Sequence, residues 1–138
     1  MRIERYGSLP DEAMEIRQEV FVSEQGFVDE FDDVDEKAIH FVMYDDLKPV
    51  ATCRVFFTES PELYYLGRLA VRKAYRGRHL GAELVYAAED YVRSVGGISV
   101  SLHAQCSAKG FYASVGYDVI GEGDEEQGCP HVWMKKTL

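Results

Sequence analysis

The segment AYRGRHLGAELVYAAEDYV, residues 74–92, places Arg76, Arg78 and His79 around Gly77 and Gly81, just where a helical pattern begins. A loop that feeds a helix N-terminus offers backbone N–H groups without partners and the positive end of the helix dipole, which suits phosphate. Glycine lets the backbone approach such an anion with no Cβ in the way. Five of the 15 Lys and Arg residues, Arg68, Arg72, Lys73, Arg76 and Arg78, fall in one eleven-residue window of a chain whose net charge is −9. A basic island in an acidic chain points to a small anionic ligand, with a solvated turn as the alternative. Two familiar phosphate loops are excluded. Gly81 is followed by Ala82 and Glu83 where a P-loop needs Lys and then Ser or Thr, and the loop lacks the three spaced glycines of a dinucleotide fingerprint.

Other residues could move protons. Tyr112, in GFYASVGY, carries a phenol that stays protonated at neutral pH and can act as an acid, or it can simply pack a short helix with Phe111 and Val115. Glu24, His40, His103, Glu126 and His131 are the candidate bases. His103-x-x-Cys106 and Cys129-x-His131 could supply four zinc ligands, but at spacings unlike the common zinc motifs, and buried cysteines beside strand-edge histidines are the better reading. Residues 29–36 hold six carboxylates in eight positions. This reads as a solvated acidic loop, or more sharply as a field that steers a cationic amine.

Composition limits what such groups could serve. With 138 residues, 46% hydrophobic and 28% charged, the chain fits one soluble domain with a real core. The acidic balance argues against nucleic acid, and the absence of a long apolar run against a membrane span. The first residues lack a signal-peptide core, and three cysteines make a sparse, odd set. Both favour a cytoplasmic location.

The elements that must hold these residues are legible in outline. Residues 10–23 carry Ala13, Ile16, Val20 and Phe21 at helical spacing. Residues 39–44 and 50–57 read as strands joined by a hairpin, and residues 64–71 as a third strand. Leu80, Leu84, Ala87, Ala88, Tyr91, Val92 and Val95 form one apolar helical face, ended by Gly96-Gly97. A strand over 98–103, a helix over 108–115 and strands over 117–120 and 132–135 complete an α-β-β-β-α-β-α-β-β order. The central strand–helix–strand unit is a βαβ crossover, whose loop lies at a strand's carboxyl end, where α/β sheets bind ligands.

Beyond these readings, LGRLAVRKAYRGRHLGAEL resembles the pyrophosphate-binding motif of the GNAT superfamily of acyl-CoA-dependent N-acyltransferases. Arg76 and Gly81 match its first and last positions and Leu69-Ala70-Val71 its strand, while His79 stands where the motif has a glycine. EIRQEVFVSEQGF, DEKAIHFV, SLHAQCSAKGFYASVGY and GCPHVWMKK extend the likeness, in order, to the small bacterial ElaA-like and YjcF-like branch. The resemblance implies one GNAT domain over residues 1–138, an α/β fold with a central mixed sheet flanked by helices. It implies acetyl-CoA as cosubstrate, with the backbone of Leu69, Ala70 and Val71 holding the pantetheine arm. Arg76, Gly77, Arg78, His79, Leu80, Gly81 and Ala82 would hold the pyrophosphate. Tyr112 is then the acid that protonates the departing sulfur, and His131 and Glu24 are the favoured bases. The implied reaction is direct acetyl transfer to a primary amine of a small molecule or peptide, without metal. A non-catalytic acyl-CoA-binding or sensing module is the alternative, and sheet edges leave a homodimer open.

Overall fold

In the computed structural model, residues 1–28, 30–121 and 123–138 are described. Asp29, the first carboxylate of the acidic segment, lies outside them. A mixed sheet of eight strands runs in the order β1 (Arg2–Tyr6), β2 (Ile39–Asp45), β3 (Lys48–Phe57), β4 (Leu63–Val71), β5 (Ser99–Gln105), β8 (Cys129–Thr137) and β6 (Asp118–Val119), with β7 (Asp124–Glu126) also paired to β8. Every pairing among the described residues is antiparallel except that of β4 with β5.

β2 (Ile39–Asp45) and β3 (Lys48–Phe57) form the expected hairpin, turned tightly at Asp46, whose φ is 56°. β2 is apolar on consecutive positions because it is covered on both faces. Phe41 and Met43 join the core beneath the second helix, while Val42 and Tyr44 join the one beneath the first. β1 (Arg2–Tyr6) pairs with β2 and has no buried residue, so its sequence carries no apolar alternation to reveal it.

The first helix begins as an α-helix, α1 (Asp11–Arg17), and continues in π winding over Gln18–Glu24. Each π hydrogen bond spans five residues rather than four, so Phe21 comes over Ile16 beside Val20 and both are buried.

β4 (Leu63–Val71), α2 (Leu80–Ser94) and β5 (Ser99–Gln105) make the crossover. α2 buries Leu80, Leu84, Val85, Ala88 and Val92 against the sheet, whereas Val95 is exposed, so the buried stripe is rotated from the one the apolar spacing predicts. The rotation takes in Glu89, which is buried between the Tyr117 hydroxyl and Lys136 Nζ, each donating to it at 2.9 Å. Gly97 is required by close approach: a Cβ there would sit 2.3 Å from Val92 Cγ1. α3 (Lys109–Ser114), β6 (Asp118–Val119), β7 (Asp124–Glu126) and β8 (Cys129–Thr137) close the chain. β7 is three acidic residues, which read as loop in sequence. It is a strand because its backbone pairs with β8 across a turn at Gln127 and Gly128, both with positive φ.

Candidate active site

β4 and β5 hold each other only at residues 63–65 and 99–101, and then part. The separation follows from β4's other edge. There the ladder with β3 slips between Thr52 and Arg54, which inserts an extra residue into β4, and Arg68 takes a left-handed φ of 53°. Such a bulge bends and twists its strand. From Leu66 onward the inner edge of β4 therefore has no neighbouring strand, and its backbone groups face a groove of about 730 Å³. Leu66, Gly67, Arg68 and Leu69 form one wall, and Leu102, His103, Ala104 and Gln105 the other. Tyr112 of α3 reaches it from below, and Gln25, Glu126, His131 and Trp133 stand at its rim.

The glycine loop lies at the carboxyl end of β4. Arg76 lines the groove, but its guanidinium is engaged: Nε donates to the Val71 carbonyl at 2.9 Å, and Nη1 and Nη2 hold both oxygens of Glu24 at 2.6 and 2.8 Å. The Arg76 bond holds the Glu24 carboxyl below its ordinary range. Arg68 and Arg72 are also paired, with Glu30 and Asp32 and with Glu15 and Glu19. Of the basic island only Lys73 and Arg78 are exposed without an ion pair among the described residues. His79 has φ 61°, which explains why a glycine suits the position, and its side chain is exposed. The first backbone bond of α2 runs from the Glu83 amide to the His79 carbonyl, so the amides of Leu80, Gly81 and Ala82 are the helix's unpaired donors. A Cβ on Gly81 would meet Phe111 Cζ at 3.3 Å, so its smallness serves helix packing as well as any ligand.

Tyr112 and His131 line the same groove. Tyr112 is 8% exposed, and burial raises its phenol well above the ordinary value. His131 is buried, and its Nδ1 lies 2.8 Å from the Cys129 carbonyl. A carbonyl only accepts, so the proton is on Nδ1 and Nε2 carries the lone pair. Glu24 does not line the groove. His40 is buried elsewhere, its Nε2 donating to the Asp35 carbonyl at 3.0 Å, and burial lowers its pKa. His103 and Glu126 do line it and touch each other at 3.1 Å.

The match to known proteins decides the family. Residues 8–138 match the acetyltransferase (GNAT) domain. The chain belongs to the GNAT acetyltransferase family. The Bacillus subtilis protein YyaT is 34% identical over all of this chain and 97% of its own. YjcF of the same organism, an uncharacterized N-acetyltransferase, is 33% identical over 91% of this chain and 90% of its own. The crystal structure of Escherichia coli ElaA superposes with a TM-score of 0.84 at 26% identity, covering 98% of this chain and 99% of that one.

In this acetyltransferase part of the acidic segment is drawn into ion pairs, while Asp33 and Glu36 are exposed. Glu30 and Asp35 are buried on Arg17, Asp35 also accepts from Arg54, and the exposed Asp32 pairs with Arg54, with Arg17 itself 0% exposed. Glu30, Asp32 and Asp35 thereby fix the loop, and the exposed Asp33 and Glu36 fit the solvated reading. The cysteines are not gathered with the histidines: Cys53 is buried alone, Cys106 is exposed, and neither Cys106 nor Cys129 belongs to the cluster that His103 and His131 form with Glu126. One groove residue, Arg54, escapes sequence reasoning, while Gln25 lies where the resemblance puts the loop bordering the acceptor groove. Gln25 accepts from Gln105 Nε2 at 2.7 Å across the mouth, and Arg54 presents a buried Nε without a partner among the described residues. An arginine inside the apolar strand VATCRVFF was the available signal for Arg54. Among the described residues no helix is long and apolar enough to cross a membrane.

Proposed function

We propose that the protein transfers an acetyl group from acetyl-CoA directly to a primary amine of a small molecule or peptide. The observation that carries this reading is the convergence of three features on one groove: the unpaired β4 edge, the buried phenol of Tyr112 and the Nε2 lone pair of His131. The residues present fit the cosubstrate. The β4 edge from Leu66 to Val71 can bond the amides of an extended arm, and the free amides of Leu80, Gly81 and Ala82 face an anion with Arg78 and Lys73 nearby. Bound acetyl-CoA supplies the thioester carbonyl that the amine attacks. His131 Nε2 takes the proton from the attacking nitrogen, and Tyr112 delivers its proton to the sulfur as the carbon–sulfur bond breaks. Fixed N–H donors of the β4 edge stabilise the charge that develops on the carbonyl oxygen. Arg76, tied to Glu24 and Val71, positions the loop.

Calorimetric titration with acetyl-CoA tests the reading. Arg78→Glu reverses an exposed charge that lies over the Tyr75 ring at 5.1 Å, so the fold should be unaffected. Affinity should fall about tenfold, with the melting temperature unchanged. Failure of the wild type to bind acetyl-CoA would end the proposal, and binding without thiol release across a panel of amines would leave a sensing module. His131→Gln should lower kcat only about tenfold, because water can relay the amine's proton, and should leave acetyl-CoA affinity unchanged.

A further inference from the structure

The end of the groove built by β5, β7 and β8 has a second chemical character. We infer that it is a binding site for a divalent transition-metal ion of the zinc type, held by His103 Nδ1, His131 Nε2 and the Glu126 carboxylate. The ligand atoms of these three residues all lie within 4.8 Å of one another. Glu126 Oε2 is 3.1 Å from His103 Nδ1 and 3.9 Å from His131 Nε2. Around a tetrahedral zinc with bonds of about 2.0–2.2 Å, adjacent ligand atoms stand about 3.3–3.6 Å apart, so an ion would draw the three groups together and tilt the stacked His103 and His131 rings toward it.

The outer hydrogen bonds point to the same conclusion. His131 Nδ1 gives its proton to the Cys129 carbonyl at 2.8 Å, and His103 Nε2 lies 2.7 Å from Asp124 Oδ1. In neutral imidazoles those contacts place both protons on the outer nitrogens. The inner nitrogens and Glu126 are then three acceptors lying close together with no proton among them. A metal-binding histidine usually donates its other N–H to a carboxylate or a backbone carbonyl, and here one of each is present. The His103 ring also stacks with Trp133 and with His131, each at a centroid distance of 4.7 Å. A second proton on His103, shared with Asp124 and Glu126, is the competing arrangement, but it gives His131 Nε2 no part. A metal ion uses all three groups. Two histidines and a carboxylate select zinc, nickel or cobalt over magnesium or calcium.

The site does not depend on acetyl transfer. Where that reading holds, the ion takes the lone pair of His131 and inhibits. The test is calorimetric titration of the chelator-treated protein with zinc, and with cobalt followed by absorption, without acetyl-CoA. One ion per chain should bind, and Glu126→Gln and His103→Ala should each weaken it at least about tenfold. Glu126 is exposed, so Glu126→Gln leaves the fold intact, and a melting curve checks it. Cobalt should show ligand-field bands without a thiolate charge-transfer band. No saturable binding at about 100 µM metal, unchanged affinity in both variants, or a thiolate band from Cys106 or Cys129 would each overturn the site. Because heat and spectrum report the metal directly, these outcomes stand whichever way the acetyl-CoA experiments fall.

Discussion

Tyr112→Phe should lower kcat by about 10²- to 10³-fold while leaving acetyl-CoA affinity and melting temperature nearly unchanged. The substitution removes one oxygen and keeps the ring, which packs edge-on against Phe111 at 5.0 Å and Tyr117 at 6.0 Å. Burial raises the phenol above its ordinary value, so at neutral pH the group always carries the proton it is asked to give. General acid catalysis is worth about 10²- to 10⁴-fold, and the lower part of that range applies because a thiolate, with a parent pKa of about 8.5, leaves with modest help. Steady-state thiol release and a calorimetric titration, on wild type and variant together, separate the two quantities. A kcat within threefold of wild type would assign Tyr112 to packing.

What could be read in the sequence is what the chain does locally. The helix over 80–94, its glycine loop and the strand before it follow from apolar spacing and turn residues, and the groove's main wall follows from them. What could not be read is where charges go. Nothing in the sequence of the first helix marks Arg17 as buried, yet it is wholly so, because the acidic segment folds back onto it. Arg68 and Arg72 belong to the basic island that reads as an anion site, yet their guanidiniums turn to carboxylates on other elements. The separation of β4 and β5 depends on a one-residue slip against β3 and a left-handed Arg68, neither of which a hydrophobic pattern encodes. The cluster of His103, Glu126 and His131 comes from three strands, one of them too acidic to be recognised.

Those hidden charges make the largest stability prediction. Asp35→Ala should cost about 3–5 kcal/mol, the usual effect of removing one partner from a buried ion pair. Asp35 Oδ1 accepts from Arg17 Nη1 and Arg54 Nη1, both at 2.8 Å, and its Oδ2 accepts from Arg17 Nη2 at 3.1 Å. Without it two buried guanidiniums must share Asp32 and Glu30. At about 3–4 °C per kcal/mol for a chain of this size, the melting temperature should drop by roughly 10–20 °C. The effect reaches the groove, because the same loop binds Arg68 through the Glu30 carbonyl at 3.2 Å and Asp32 Oδ2 at 3.3 Å. A left-handed non-glycine residue costs about 1–3 kcal/mol and persists only where its surroundings hold it. Acid should reproduce part of the loss. Burial alone would raise the Asp35 carboxyl, but the bonds and charges of Arg17 and Arg54 outweigh it and hold the group at about 2. A folded pKa below the unfolded one gives stability that is complete above about pH 5 and is lost as pH falls from about 4 toward 2. Asp32 acts in the same direction through Arg54, while Glu30, whose carboxyl burial raises, partly offsets both. Thermal melts of wild type and Asp35→Ala between pH 7 and pH 3 at fixed ionic strength should converge as pH falls. Parallel curves, or a loss below about 1 kcal/mol at pH 7, would show that Asp35 does not hold this loop.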